Sequence, residues 1–296
     1  MQVLVTGASG FVGNEVVREL LARGHAVKAL VRPKSEKKLQ ERDQVEIVFG
    51  DCLNPEVLHQ AVQGCDAVIH LVGIIREFPG RGITFERVHV EATKNVVEAA
   101  KAAGVKRYLH MSALGARPEP ADPYHVTNFR ADQNVMASGL VYTIFRPSVI
   151  YGPGDQSINL FVRQIRRLPF FPIIGDGNYK LQPVPVWIVA AAFARALELP
   201  HTENKIYEVG GPEPLTFNEI IDTIAAVLNR KVSKIRQPLW CVQVAASLCG
   251  RFRWFPLTPG QLRMLLEGNI CDPTPFYTDF QLSPVSFKEG LARYLT

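Results

Sequence analysis

The chain has 296 residues, 47% of them hydrophobic and 21% charged, with a formal net charge of +5. These are the proportions of an ordinary globular protein of about two domains' length, and they exclude disordered and fibrous chains. No apolar run reaches the ~18 residues that would cross a bilayer, and Met1 leads straight into Gln2-Val3-Leu4-Val5-Thr6 without a basic and apolar leader, so a cytoplasmic setting is expected.

In chain order, short β-branched runs at 2–6, 26–31, 45–49, 67–72, 107–111 and 141–146 predict strands. Most are continuously apolar, as in a parallel sheet buried on both faces. Between them, helical periodicity over 11–23, 85–103 and 124–138 stops each time at a glycine: Gly24, Gly104 and Gly139. The alternation defines an α/β chain with a Rossmann-type doubly wound parallel sheet. After Gly152 proline pairs multiply and loops lengthen, although 180–184 and 205–209 still read as sheet members. The expected organisation is a dinucleotide-binding core of 1–152 plus those two strands, and a smaller interwoven C-terminal lobe of 153–179 and 211–296. In that lobe 238–250 is apolar around most of a helix. It reads as a roof over a cleft, or as a contact for a hydrophobic ligand, a protein partner or a membrane surface with Trp240 and Trp254 as anchors. The basic clusters are scattered without an aromatic stripe, so nucleic acid is not an expected partner. Five cysteines with no Cys-x-x-Cys pair predict buried thiols and no metal.

Thr6-Gly7-Ala8-Ser9-Gly10-Phe11-Val12-Gly13 lies between the first strand and the first helix. That placement makes a glycine pattern informative: the chain can turn sharply, approach a diphosphate and present the free N–H groups of a helix start to it. Gly7, Ser9, Gly10, Phe11, Val12 and Gly13 are therefore candidate cofactor-binding residues. The second strand ends at Val31-Arg32-Pro33-Lys34, with no carboxylate to grip a ribose 2′-hydroxyl. The guanidinium of Arg32 offers a planar fork for a 2′-phosphate, so NADP(H) is expected over NAD(H). A surface arginine without a ligand is the alternative.

The spacing Gly7, Gly10, Gly13, together with Gly50-Asp51-Cys52, His70-Leu71-Val72-Gly73, Arg146-Pro147-Ser148-Val149-Ile150-Tyr151-Gly152-Pro153-Gly154 and Tyr207-Glu208-Val209-Gly210-Gly211, resembles an extended or atypical short-chain dehydrogenase/reductase of the NAD-dependent epimerase/dehydratase group. His89-Val90-Glu91-Ala92-Thr93-Lys94-Asn95-Val96-Val97 and Tyr108-Leu109-His110-Met111-Ser112-Ala113-Leu114-Gly115-Ala116 are similar to one branch, the bacterial relatives of the NAD(P)H-binding accessory subunit of respiratory complex I. The resemblance implies that Asp51, Cys52 and Leu53 flank the adenine, and that Leu71, Val72 and Gly73 underlie the ribose and diphosphate. It also implies that Pro147 and Val149 pass beside the nicotinamide. Asp51 reads equally as a turn residue ahead of a helix opened by Asn54 and Pro55.

Catalytic members of that superfamily carry Tyr-x-x-x-Lys on the helix after the fifth strand. Here the tyrosine is Tyr124 and the lysine position is Asn128. An amide supplies no positive field, and a phenol of pKa about 10 is only about a thousandth ionised at neutral pH. Ser112 resembles the hydroxyl residue that orients the substrate oxygen. In Val186-Trp187-Ile188-Val189-Ala190 an apolar pair stands where relatives carry acids. Two functions follow. One is an NADP(H)-dependent oxidoreductase for a small apolar carbonyl or alcohol, with Tyr124 as acid/base. The other is a protein that holds NADPH without turnover, as structure or sensor. A sugar-nucleotide epimerase or dehydratase is disfavoured by the missing lysine.

Overall fold

The computed structural model describes residues 1–119, 122–250, 252, 255 and 257–295. In chain order its main elements are β1 (Gln2–Thr6), α1 (Phe11–Ala22), β2 (Ala26–Val31), β3 (Glu46–Phe49), α2 (Pro55–Ala61), β4 (Ala67–His70), α3 (Ala92–Ala102), β5 (Arg107–Met111), α4 (Pro123–Met136) and β6 (Val141–Pro147). They continue with β7 (Ile150–Tyr151), α5 (Ile158–Arg167), β8 (Phe170–Ile174), β9 (Lys180–Leu181), β10 (Val184–Pro185), α6 (Val186–Ala196), β11 (Lys205–Val209) and β12 (Leu215–Thr216). The last are α7 (Phe217–Val227), β13 (Ser233–Gln237), α8 (Leu239–Cys249), α9 (Pro259–Glu267), α10 (Thr274–Asp279) and α11 (Phe287–Leu295).

The chain forms two units. The first comprises Met1–Pro147, Val186–Val209 and Thr274–Leu282. Its seven-stranded sheet has the order β11-β6-β5-β4-β1-β2-β3, and every pairing is parallel. Parallel strands need crossover connections, which here are α-helical except between β2 and β3, and the helices cover both faces. On one face α2, α3 and α4 enclose a core that includes Leu4, Leu58, Val68, Val96, Tyr108 and Ile144. On the other, α1 packs on α6, an almost wholly apolar helix that buries Ile188, Val189 and Phe193. Phe193 lies 4.4 Å from Phe145 of β6, and Phe280, just after α10, lies 5.3 Å from the same ring. Ahead of α3, Glu86–Glu91 forms a π-helical turn, so the predicted helix over 85–103 is two differently wound pieces.

The second unit comprises Ser148–Pro185, Gly210–Pro273 and Ser283–Thr296. Among the described residues it holds three two-stranded pairs, β7 with β10, β9 with β12 and β8 with β13, around a core that includes Ile158, Phe171, Phe217, Ile221 and Phe287. Capping boxes start α7 (Thr216 and Glu219) and α9 (Thr258 and Gln261). The expectation for 180–184 differs from what is observed: Lys180–Leu181 pairs antiparallel with Leu215–Thr216, and Val184–Pro185 pairs with Ile150–Tyr151, both in this unit. The strand expected at 205–209 does join the large sheet, as edge strand β11. Trp254, Arg251 and Arg253 lie outside the described residues. Among the described residues no helix is long and apolar enough to cross a membrane, and none cluster as a metal site.

Candidate functional site

The loop after β1 is shaped by its three glycines. Gly7 has φ +76, and a Cβ there would lie 3.1 Å from the Leu71 carbonyl carbon. The Gly10 N–H donates to the Gly7 carbonyl at 2.9 Å and closes the turn. At Gly13 a Cβ would overlap the Gly7 carbonyl oxygen and sit 2.7 Å from that of Ala8, so the helix can press on the loop only without a side chain. Gly10 is the N-cap of α1; no side chain caps the helix, and its first turn holds no acidic residue. The unsatisfied N–H groups and the helix dipole therefore make a cradle for a diphosphate. Val12 is buried, while Ser9 and Phe11 are half-buried at the rim. Asn14 braces the turn, donating to Gly10 O at 2.9 Å and accepting from the Gln40 N–H at 2.8 Å.

Arg32, exposed just beyond β2, makes no ion pair among the described residues. Lys34 is left-handed, with φ +73, and Ser35 N–H donates to Arg32 O at 2.9 Å, so the chain turns back immediately. Beyond β3, Asp51 accepts from Leu53 N–H at 3.0 Å through one carboxylate oxygen, and Asn54 caps α2. The turn role expected of Asp51 is therefore occupied by one oxygen. Cys52 is buried, and burial pushes its thiol up to about 12. Leu53 packs on the core beside it; Leu71 is buried, Val72 half-buried and Gly73 exposed where β4 runs out.

On α4, capped by Asp122, Tyr124 sits edge-on to Phe85 at 5.7 Å and to His89 at 5.5 Å. Burial pushes its phenol up to about 12. Asn128 is buried one turn on; its Nδ2 donates to the Tyr124 carbonyl at 2.8 Å and lies 3.4 Å from His89 Nδ1. His89 also meets Thr127 Oγ1 at 2.9 Å and the Ile74 carbonyl at 3.0 Å, and burial lowers its pKa to about 4. A neutral imidazole therefore faces the lysine position. Arg130 is engaged elsewhere, on Glu86.

Sequence reading missed a buried polar row across the strand ends. His70 bridges Thr6 at 2.6 Å and Thr93 at 3.2 Å, and stacks on His110 at 5.5 Å. His110 Nε2 is 3.6 Å from Asp132, and Asp132 pairs with Arg146 at 2.8 Å. Burial lowers His70 to about 3 and raises Asp132 to about 6, against the opposing pull of Arg146 and the Ser112 hydroxyl. Ser112 is itself buried, its N–H donating to Phe145 O at 2.7 Å. The one signal available in the sequence was the spacing of Tyr124, Asn128 and Asp132, each one turn apart on α4. Pro147 ends β6 and accepts from Leu114 N–H at 3.0 Å. Val149 belongs to the second unit, where it packs on the core and its carbonyl accepts from Val184 N–H at 2.9 Å.

A doubly wound parallel sheet with a glycine-lined diphosphate cradle at the end of its first strand defines a dinucleotide-binding protein. The profile of the NAD(P)H-binding family matches residues 7–164, and the chain belongs to that family, within the short-chain dehydrogenase/reductase and epimerase/dehydratase proteins. Subunit 9 of the NADH dehydrogenase 1 alpha subcomplex from Dictyostelium discoideum is 29% identical over 74% of this chain, which spans 62% of that subunit's length. A 2-alkyl-3-oxoalkanoate reductase from Stenotrophomonas maltophilia is 30% identical over 99% of this chain and 98% of its own. Among solved structures, the UDP-glucuronic acid 4-epimerase of Bacillus cereus, in complex with UDP-glucuronic acid and NAD, superimposes with a TM-score of 0.79 at 20% identity. That match covers 98% of this chain and 96% of the epimerase.

Proposed function

We propose that this chain holds NADPH in preference to NADH, and that as it stands it retains the cofactor far more than it turns it over. The surroundings of Tyr124 carry this reading. Bound nicotinamide would supply hydride to a carbonyl carbon, and this chain would have to supply the proton to the oxygen. A phenol at about 12 is about a hundredfold weaker as an acid than a free one. The group that would correct it is replaced by Asn128, whose amide is occupied by the Tyr124 carbonyl and His89. His89, at about 4, is neutral at physiological pH and supplies no charge.

Preference for NADPH rests on Arg32, exposed at the end of β2 with no carboxylate beside it in Val31-Arg32-Pro33-Lys34. A second reading, slow reduction of a ketone, is favoured by the full-length likeness to a 2-alkyl-3-oxoalkanoate reductase. The epimerase likeness, at 20% identity, argues for the fold alone.

The test is single-turnover oxidation of bound NADPH with a 2-alkyl-3-oxoalkanoate. The parent is expected to leave the nicotinamide absorbance nearly unchanged, and Asn128→Lys to accelerate its loss by about 10²-fold, the usual worth of a tuned acid. A parent that turns over at about 1 s⁻¹ or faster, an ordinary enzymatic rate, removes the proposal.

A further inference from the structure

Helix α8 has the composition of a buried helix and the surroundings of an exposed one. Leu239–Cys249 contains no charged residue, yet Ala246 is its only buried position. It is held to the second unit through Ala246 and the following Gly250, where a Cβ would lie 3.1 Å from Pro259 at the start of α9. Trp240, Val244 and Leu248 remain 68%, 51% and 66% exposed. Spaced by four, they form one apolar stripe.

The charge around this stripe has one sign. Between positions 230 and 263 there are seven Lys or Arg and no Asp or Glu. Arg230, Lys231 and Arg236 are exposed just ahead of the helix, and Lys234 leans on Asp222 of α7 at 2.7 Å. Positive and negative side chains balance in the first unit, so the excess of +5 falls entirely in the second.

We infer that α8 and the cationic segment flanking it form a docking surface for a bilayer rich in anionic headgroups. Trp240, Val244 and Leu248 would enter the interface while the cations meet phosphate. This goes beyond cofactor binding and does not depend on it. An apolar stripe with a tryptophan, flanked by cations and without acids, is what an interfacial helix needs, since the headgroups supply all the countercharge. A second copy would bring cations against cations. A protein partner would have to supply every carboxylate of the interface.

Vesicle flotation tests this, with phosphatidylcholine alone and with an equal mixture of phosphatidylcholine and phosphatidylglycerol. The parent is expected to float about tenfold better with the anionic vesicles and to be released by high salt, which screens the headgroup field. Trp240→Ser/Leu248→Ser should stay at the bottom while keeping the parent's circular dichroism and melting curve. Failure of the parent to float, or flotation of the double variant at the parent's level, overturns the inference. So does a dimer in sedimentation that the double variant abolishes while the parent ignores vesicles, because the stripe is then covered by a second copy.

Discussion

The proposed preference for NADPH turns on Arg32. Its guanidinium pairs with no carboxylate among the described residues and stands where β2 ends, and the left-handed Lys34 turns the chain away directly behind it. Charge-assisted hydrogen bonds to a 2′-phosphate are worth about 1.5–3 kcal/mol, or about 10- to 100-fold in affinity. Arg32→Ala is thus expected to weaken NADPH by that factor and leave NADH within about twofold, read as protein fluorescence in parallel titrations. Equal loss for both cofactors, or equal affinity of the parent for both, would take the assignment away from Arg32. The same scale explains why Asp51 was ambiguous in sequence. A carboxylate ahead of Asn54-Pro55 suits a turn and a ligand alike, and only the bond from Leu53 N–H shows where one oxygen goes.

At the scale of elements, the cradle depends on how closely α1 can lie on its loop. Gly13→Ala would drive a methyl into the Gly7 and Ala8 carbonyls, which are backbone and cannot swing aside. Overpacking of this kind costs about 1–3 kcal/mol and would displace the N–H groups proposed to hold the diphosphate. Gly24→Ala is the control: its φ of +77 makes it strained too, but nothing lies within 4 Å of the added methyl. Both variants should melt earlier than the parent, and only Gly13→Ala should lose NADPH in the titration. Full binding by Gly13→Ala would mean that the loop is not where the diphosphate rests.

Loop and helix were readable because glycine spacing and apolar periodicity are local properties. The ends of β1, β2 and β5 fall where the apolar runs stop. The row Thr6, His70, His110, Asp132, Arg146 was not readable, because parallel register brings together residues far apart in sequence and no local pattern encodes that. The segment at 180–184 misled for the opposite reason. It has strand-like composition, but its partners are the short β12 and β7, not the large sheet.

For the whole molecule, the buried histidines set the response to acid. His70 and His89 are held neutral when folded, at about 3 and about 4, and ordinary when unfolded, so the unfolded chain binds more protons below pH about 6.5 and stability falls with pH. Asp132, raised to about 6, works the other way between about pH 6 and 4. His110, also lowered by burial, adds to the two histidines, and together they outweigh the single opposing carboxylate of Asp132. Melting temperature should therefore drop steeply between about pH 6.5 and 4.5, and His89→Gln should flatten that slope. A profile level across the window would show that these imidazoles are not buried neutral.

The first unit is also assembled from three separated stretches of chain, ending at Leu282. On a ribosome, β6 emerges long before the edge strand β11 that pairs with it, and α1 waits for α6 to cover its apolar side. The ring of Phe280, which closes against Phe145, arrives with the third of these stretches. The chain must therefore be synthesised to residue 282 before the stretch Met1–Pro147 can finish folding, and a nascent chain halted near residue 150 would offer chaperones an open sheet edge and an uncovered helix.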